Sequence, residues 1–341
     1  MPHSLIAVSG FLLGLAASGA PSGGNSPYQL ANTLHVGDVG GWDYLTVDSD
    51  RNLLYIPRST HTMVLNADTG AVVADISGQR RNHGVALVPS AGRGFISDGE
   101  DTSVTILDLR SNKVLGKVKA REDADGIIYD QASNRVLVVC GDAGVLVPIN
   151  PEIDPKNGSA DPAIELGGKP EFFATDGTGK VYVNLENKDE VAVVNIKAGK
   201  VMAYWPTAPG GAPVGMAIDS GHHRLFIGCR KPQKLLVMDC DNGKVLADLP
   251  IGRGVDAVNF DDGYAIASCG DGTLTVVGES APGQFKIVQT LATPPGARTE
   301  GLNPKTHVLY LPTSEMEPST GQGRPHPKPG TFMVVEVTRS S

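Results

Sequence analysis

The feature that most constrains this chain is that it repeats itself. Residues 83–120 (HGVALVPSAGRGFISDGEDTSVTILDLRSNKVLGKVKA) lay over residues 213–252 (PVGMAIDSGHHRLFIGCRKPQKLLVMDCDNGKVLADLPIG). Each copy opens on small residues and runs through an alternating apolar strand and a polar turn to a second strand holding Phe-Ile. A third strand closes on Asp, and a Lys-Val-Leu strand ends the unit. Four short strands in about 40 residues is the period of a propeller blade, a unit that cannot bury its faces alone and must stack on its neighbours.

Further copies open at DYLTVDSDRNLLYIP (43), DGIIYDQASNRVLVV (125), EFFATDGTGKVYVN (171), DAVNFDDGYAIAS (256) and RTEGLNPKTHVLYLP (298). The seven starts, at 43, 83, 125, 171, 214, 256 and 298, are spaced by 40, 42, 46, 43, 42 and 42 residues. The longest spacing is explained by a polar insertion, PEIDPKNGSADPA (151–163), and the last unit carries another at 317–330. With 42 Gly and 24 Pro the chain has the turn residues that so many short strands need. The last unit ends near Val337 without a fourth strand, but Leu30–Gly37 (LANTLHVG) copies the outer-strand pattern of Val245–Gly252 (VLADLPIG). The expected architecture is all-β, a single seven-bladed propeller of four-stranded blades over residues 30–341. The N-terminal strand closes the last blade, because an unclosed ring would leave two sheet edges exposed.

Val181-Tyr-Val-Asn184 followed by Val191-Ala-Val-Val-Asn195, and Ser103-Val-Thr-Ile-Leu-Asp108, carry a further signal. On these residues the chain resembles the YVTN-repeat (YncE-like) propeller family over residues 30–337. The resemblance implies the propeller fold and an extracytoplasmic bacterial setting. It implies no single reaction and brings no catalytic motif.

Leu5–Ala17 is an apolar run of 13 residues followed by Ser18-Gly19-Ala20. That is shorter than the roughly 20 residues needed to span a bilayer, and it fits a signal peptide over residues 1–20 with a linker over 21–29. No Lys or Arg precedes the run, and Pro21 would hinder cleavage directly after Ala20. The expected location is periplasmic or secreted, with no transmembrane segment in the mature chain. A net charge of −8 argues against a nucleic-acid partner.

No nucleophile elbow, zincin, P-loop or Cys-x-x-Cys motif is present, and residues 154–161 lack the EF-hand spacing. The repeat alignment offers a site instead. The first residue of each inner strand faces the mouth of the central channel, and these residues are Asp43, His83, Asp125, Glu171, Val214, Asp256 and Arg298. Six are ionisable where the pattern asks only for a small or apolar residue, and four carboxylates converging on one axis need compensation. His83, the only histidine of the set, is the candidate proton carrier. Arg298 is the candidate to neutralise an oxyanion. Asp125, Glu171 and Asp256 are candidate ligands of a divalent cation.

Basic residues precede several inner strands (Arg80, Arg81, Arg121, Lys169, Arg253). The loops after the second strands carry Arg58, Asp98, Asn184, Glu186, Arg230, Asp271 and Glu315. Arg58 and Arg230, with Asp43, Asp125, Glu171 and Asp256, are the expected ligand-binding residues. Trp42 and Tyr44 flank Asp43 as a stacking wall or as packing between blades. His222, His223 and His326 read as turn and loop residues. Cys140, Cys229, Cys240 and Cys269 read as buried thiols, with a Cys229–Cys269 disulfide left open. Three functions fit. The first is a propeller binding a small polar or anionic ligand, a metal ion or a partner protein at the channel mouth. The second is a metal-assisted lactonase or lyase with His83 as base. The third is a purely structural interaction module at the cell surface.

Overall fold

The computed structural model describes residues 26–317 and 326–340. The expected signal peptide, most of the expected linker and part of the insertion at 317–330 lie outside the described residues. The rest is built almost wholly of antiparallel strands. Each apolar-alternating stretch seen in the sequence is a strand, as in Leu53–Pro57, Arg93–Asp98 and Arg224–Arg230. The strands form four-stranded sheets such as Pro213–Asp219, Arg224–Arg230, Gln233–Asp239 and Val245–Pro250. Among the described residues, no helix is long and apolar enough to cross a membrane.

The innermost strands touch one another in a closed cycle. It runs through Thr46–Asp48, the second half of Val72–Val88, Ala124–Asp130, Pro170–Thr175, Pro213–Asp219, Val255–Asp261 and Gly301–Asn303, then back to Thr46–Asp48. The buried apolar side chains collect in clusters between neighbouring sheets, not at one centre. Tyr55, Val64, Ile96 and Leu107 fill one such slot, and Phe173, Val183, Leu146 and Leu166 fill another. Each fully buried Leu, Ile, Val or Phe contributes about 1.5–3 kcal/mol. Placing these contributions between the sheets leaves the axis open as a channel.

Two details differ from the repeat reading. The outer strand of the first unit and the inner strand of the second are one continuous strand, Val72–Val88, so the two units share a seven-stranded sheet. Positive φ at Gly78 (91°) and Arg81 (52°) lets the backbone turn the corner without leaving the ladder. The closing strand is Tyr28–His35, which begins two residues before the expected Leu30. It pairs antiparallel with Met333–Arg339, Tyr28 facing Arg339. The earlier start has a cause. Tyr28 is only 1% exposed, its hydroxyl donates to Asp261 Oδ2 (2.7 Å), and its backbone exchanges two hydrogen bonds with the Gln289 side chain on the neighbouring sheet. The N-terminal strand is thus pinned to two sheets at once.

All four cysteines are buried and free, Cys229 and Cys269 included. Burial pushes each thiol up to about 12, which keeps it protonated and inert.

Candidate functional site

The residues read from the repeat alignment do gather at one end of the channel, and a recurring backbone irregularity helps place them. Where the inner strands pair with their second strands, the register slips by one residue across Asn82/Val85, Pro170/Phe173, Pro213/Met216 and Val255/Ala257. The same slip occurs opposite Val138/Cys140. Each slip is a β-bulge spanning a mouth residue: His83, Glu171, Val214, Asp256 and Asp125. A bulge bends the strand and re-aims the side chain it carries. Side chains of the second strands hold the backbone at the mouth. Ser97 Oγ accepts from Gly84 N (3.0 Å), Asn184 Nδ2 donates to Val214 O (2.7 Å), and Ser268 Oγ donates to Arg298 O (2.6 Å).

One side of the mouth is a carboxylate–imidazole group. His83 Nδ1 lies 2.7 Å from Asp43 Oδ2 and 3.5 Å from Asp125 Oδ1. The ligating atoms of these three residues all lie within 4.8 Å of one another. Burial works against charge on His83, but the hydrogen bond to Asp43 and the Asp125 carboxylate outweigh it and push the imidazole up to about 9. Burial also raises Asp43 and carries Asp125 up to about 7, against the pull of His83. His83 Nε2 is buried with no partner among the described residues, and it faces Gly99, where a Cβ would sit 3.0 Å from it. Both imidazole nitrogens are therefore enclosed, one by a carboxylate and one by backbone.

The other side is built on guanidinium. Asp256 is clamped between Arg230 Nη2, on Oδ1, and Arg298 Nε, on Oδ2 at 2.5 Å. Arg230 also donates to Val255 O (3.2 Å) and Glu186 Oε1 (3.3 Å). Burial alone would lower both arginines, but Asp256 holds them above their ordinary value. Arg298 remains 40% exposed, and its two terminal amino groups have no partner among the described residues. Burial, the Asp125 carboxylate and Glu186 push Glu171 up to about 9, so it is a neutral acid at pH 7.

Three sequence assignments take a different geometry. The cation set expected from Asp125, Glu171 and Asp256 is not the group that converges; that group is Asp43, His83 and Asp125, because both Asp256 oxygens are taken by arginines. Arg58 is buried away from these groups at the seam between the first and last units. There it stacks 3.5 Å over the Phe332 ring, donates to Val39 O (3.3 Å) and sits 3.5 Å from Asp38. Burial pushes it down to about 10 despite Asp38. Val214, the one apolar residue of the series, leaves its sector to Arg230 from the second strand of the same unit.

Of the remaining charged residues, Arg81 pairs with Asp123, which the sequence did not single out. Arg80 pairs with Glu100 (3.1 Å), Lys169 with Asp142 (3.7 Å) and Glu315 with Lys328 (3.0 Å). His222 and His223 are exposed and pair with Asp219 and Asp241. Trp42 packs in the core between the first and last units. Tyr44 instead reaches the phenyl ring of Phe172, centroid to centroid 4.6 Å. The two belong to units three steps apart in the cycle, so their contact spans the channel. Burial and the mouth carboxylates drive the Tyr44 hydroxyl well above its ordinary value.

No family model matches the chain, and none of the curated proteins does. Among solved structures the chain is similar to one described as Kuenenia stuttgartiensis hydrazine synthase, at TM-score 0.68 and 14% identity. The match covers 80% of this chain and 93% of that one. At that identity the likeness shows the fold alone, a propeller-type all-β architecture.

Proposed function

We propose that this is an exported seven-bladed binding propeller of the YVTN type, whose charged channel mouth takes a small polar ligand with an anionic group. The observation that carries the reading is the Arg230–Asp256–Arg298 clamp. Asp256 fixes both guanidinium groups, and the exposed end of Arg298 keeps two donors in a planar fork suited to a carboxylate or phosphate. Fixed donors in a concavity lose little freedom on binding. An enzymatic role would ask His83 to present a nitrogen to the mouth, and the enclosure of both nitrogens favours binding over catalysis. The test is calorimetric titration with succinate and with inorganic phosphate. Saturable binding that falls at least about tenfold in Arg298→Lys, which keeps the charge but loses the fork, supports the reading. Unchanged affinity in that variant would overturn it.

A second reading, a divalent cation held by Asp43, His83 and Asp125, is favoured by the closeness of their ligating atoms. Two carboxylates and an imidazole suit a borderline metal such as zinc. Zinc titration of the chelator-treated protein should then saturate at one ion and fail in Asp43→Asn. A flat titration removes the cation reading and leaves the anion reading untouched. For export, N-terminal sequencing should find a mature chain starting between residues 17 and 27, and an intact Met1 on cytoplasmic protein would count against it.

A further inference from the structure

Below the Tyr44–Phe172 contact the channel changes character. It continues as a chamber of about 600 Å³ running to the far ends of the inner strands, away from the charged mouth. Its wall includes Ile128, Tyr129, Phe172, Ile218, Phe260 and Leu302, all half-buried. The volume falls within the range of about 300–1,000 Å³ of small-molecule sites, which combine apolar and aromatic walls with a few polar groups. Here a polar group is supplied where the repeat does not ask for one. Two residues past the mouth position, six units place a buried apolar residue: Leu45, Val85, Ile127, Phe173, Met216 and Val258. The seventh places Glu300, only 5% exposed. Its Oε1 accepts from Asn259 Nδ2 (3.3 Å), and its Oε2 has no partner among the described residues. Both residues line the chamber. A buried carboxyl with an unmade hydrogen bond is destabilising where a leucine would not be, so packing alone does not account for it.

We propose that this chamber is a second binding site, separate from the charged mouth, which takes an uncharged, largely aromatic small molecule with one polar hydrogen that the Asn259–Glu300 pair recognises. Burial raises Glu300 to about 8, so near neutral pH the pair is mostly uncharged and suits an uncharged partner. The Tyr44–Phe172 contact separates such a ligand from the ions of the mouth, and the two sites are expected to fill independently.

The experiment uses N-phenyl-1-naphthylamine, an uncharged aromatic amine with a single N–H that fluoresces on leaving water, and 1-phenylnaphthalene, which lacks the N–H. The wild-type chain should bind the amine saturably and prefer it to the hydrocarbon by at least about threefold, the worth of one hydrogen bond. Glu300→Leu, which restores the residue type of the other units, should level that preference while keeping both ligands. Leu302→Trp and Ile128→Trp, two separate ways of filling the chamber, should each weaken binding at least about tenfold in protein that melts cooperatively. Excess succinate or inorganic phosphate added to the wild-type chain should leave amine binding unchanged, so failure at the mouth and failure in the chamber are told apart. Absence of saturable fluorescence in the wild-type chain, or full binding in both tryptophan variants, would overturn the proposal.

Discussion

The two sides of the channel mouth solve one electrostatic problem in different ways. Both gather carboxylates at equivalent repeat positions in a partly dehydrated space. On the Asp43–His83–Asp125 side the compensating charge is a proton held on an imidazole. On the Asp256 side it comes from two guanidinium groups that stay charged at any pH the fold survives. The first solution can be switched by pH and the second cannot. The comparison teaches that equivalent repeat positions carry charge without carrying the same chemistry.

The largest effect is expected from emptying the guanidinium side. Arg230→Ala with Arg298→Ala leaves Asp256 buried without a cation, which should cost about 3–5 kcal/mol in urea unfolding at neutral pH. Adding Asp256→Asn should recover most of that loss. A triple variant no more stable than the double would break the comparison, since the arginines would then be acting by packing.

The imidazole side should give a smaller, pH-dependent effect. The folded pKa of His83, about 9, lies above the unfolded value of about 6.5. Its contribution is therefore fully present below about pH 6.5 and is lost as pH rises through about 9, on the order of 1–3 kcal/mol. Asp125, raised to about 7, loses its own contribution lower down, as pH climbs from about 4 to 7. Urea midpoints of wild type and His83→Gln between pH 6 and 9.5 should converge at the alkaline end. Parallel curves would mean that no proton is stored there.

A finer measurement separates the partners of the imidazole. In Asp43→Asn the His83 proton resonances of metal-free protein should titrate well below the wild-type midpoint, because the 2.7 Å hydrogen bond does most to raise it. An unmoved midpoint would transfer that role to Asp125. The smallest effect is expected at Glu171. Since it is already a neutral acid at pH 7, Glu171→Gln should change stability there by less than about 0.5 kcal/mol. A larger loss would show that Glu171 is ionised and belongs to the arginine network.

Much of this molecule is legible in its sequence. A repeat forces equivalent residues into equivalent places, so alignment of the units located the mouth positions from Asp43 to Arg298, and the leftover Leu30–Gly37 pattern foretold closure by the N-terminal strand. Both follow from local alternation and from the need to pair every edge. The sequence also held a fainter sign of the bulges, in Gly84, Gly126 and Gly215 directly after three mouth residues.

Only the tertiary structure decided which charges meet. Whether Asp256 faces a cation or an arginine depends on the paths of two neighbouring units, and Arg230 and Arg298 reach it across 26 and 42 residues of chain. The same holds for the enclosure of His83 Nε2 by Gly99, for the Tyr44–Phe172 contact between units on opposite sides of the cycle, and for the burial of Arg58 on Phe332. Periodicity reports which face of a strand is buried, because that is set by the residues of the strand itself. Charge pairing is set by distances of a few ångströms between strands remote in sequence, and no local pattern encodes them.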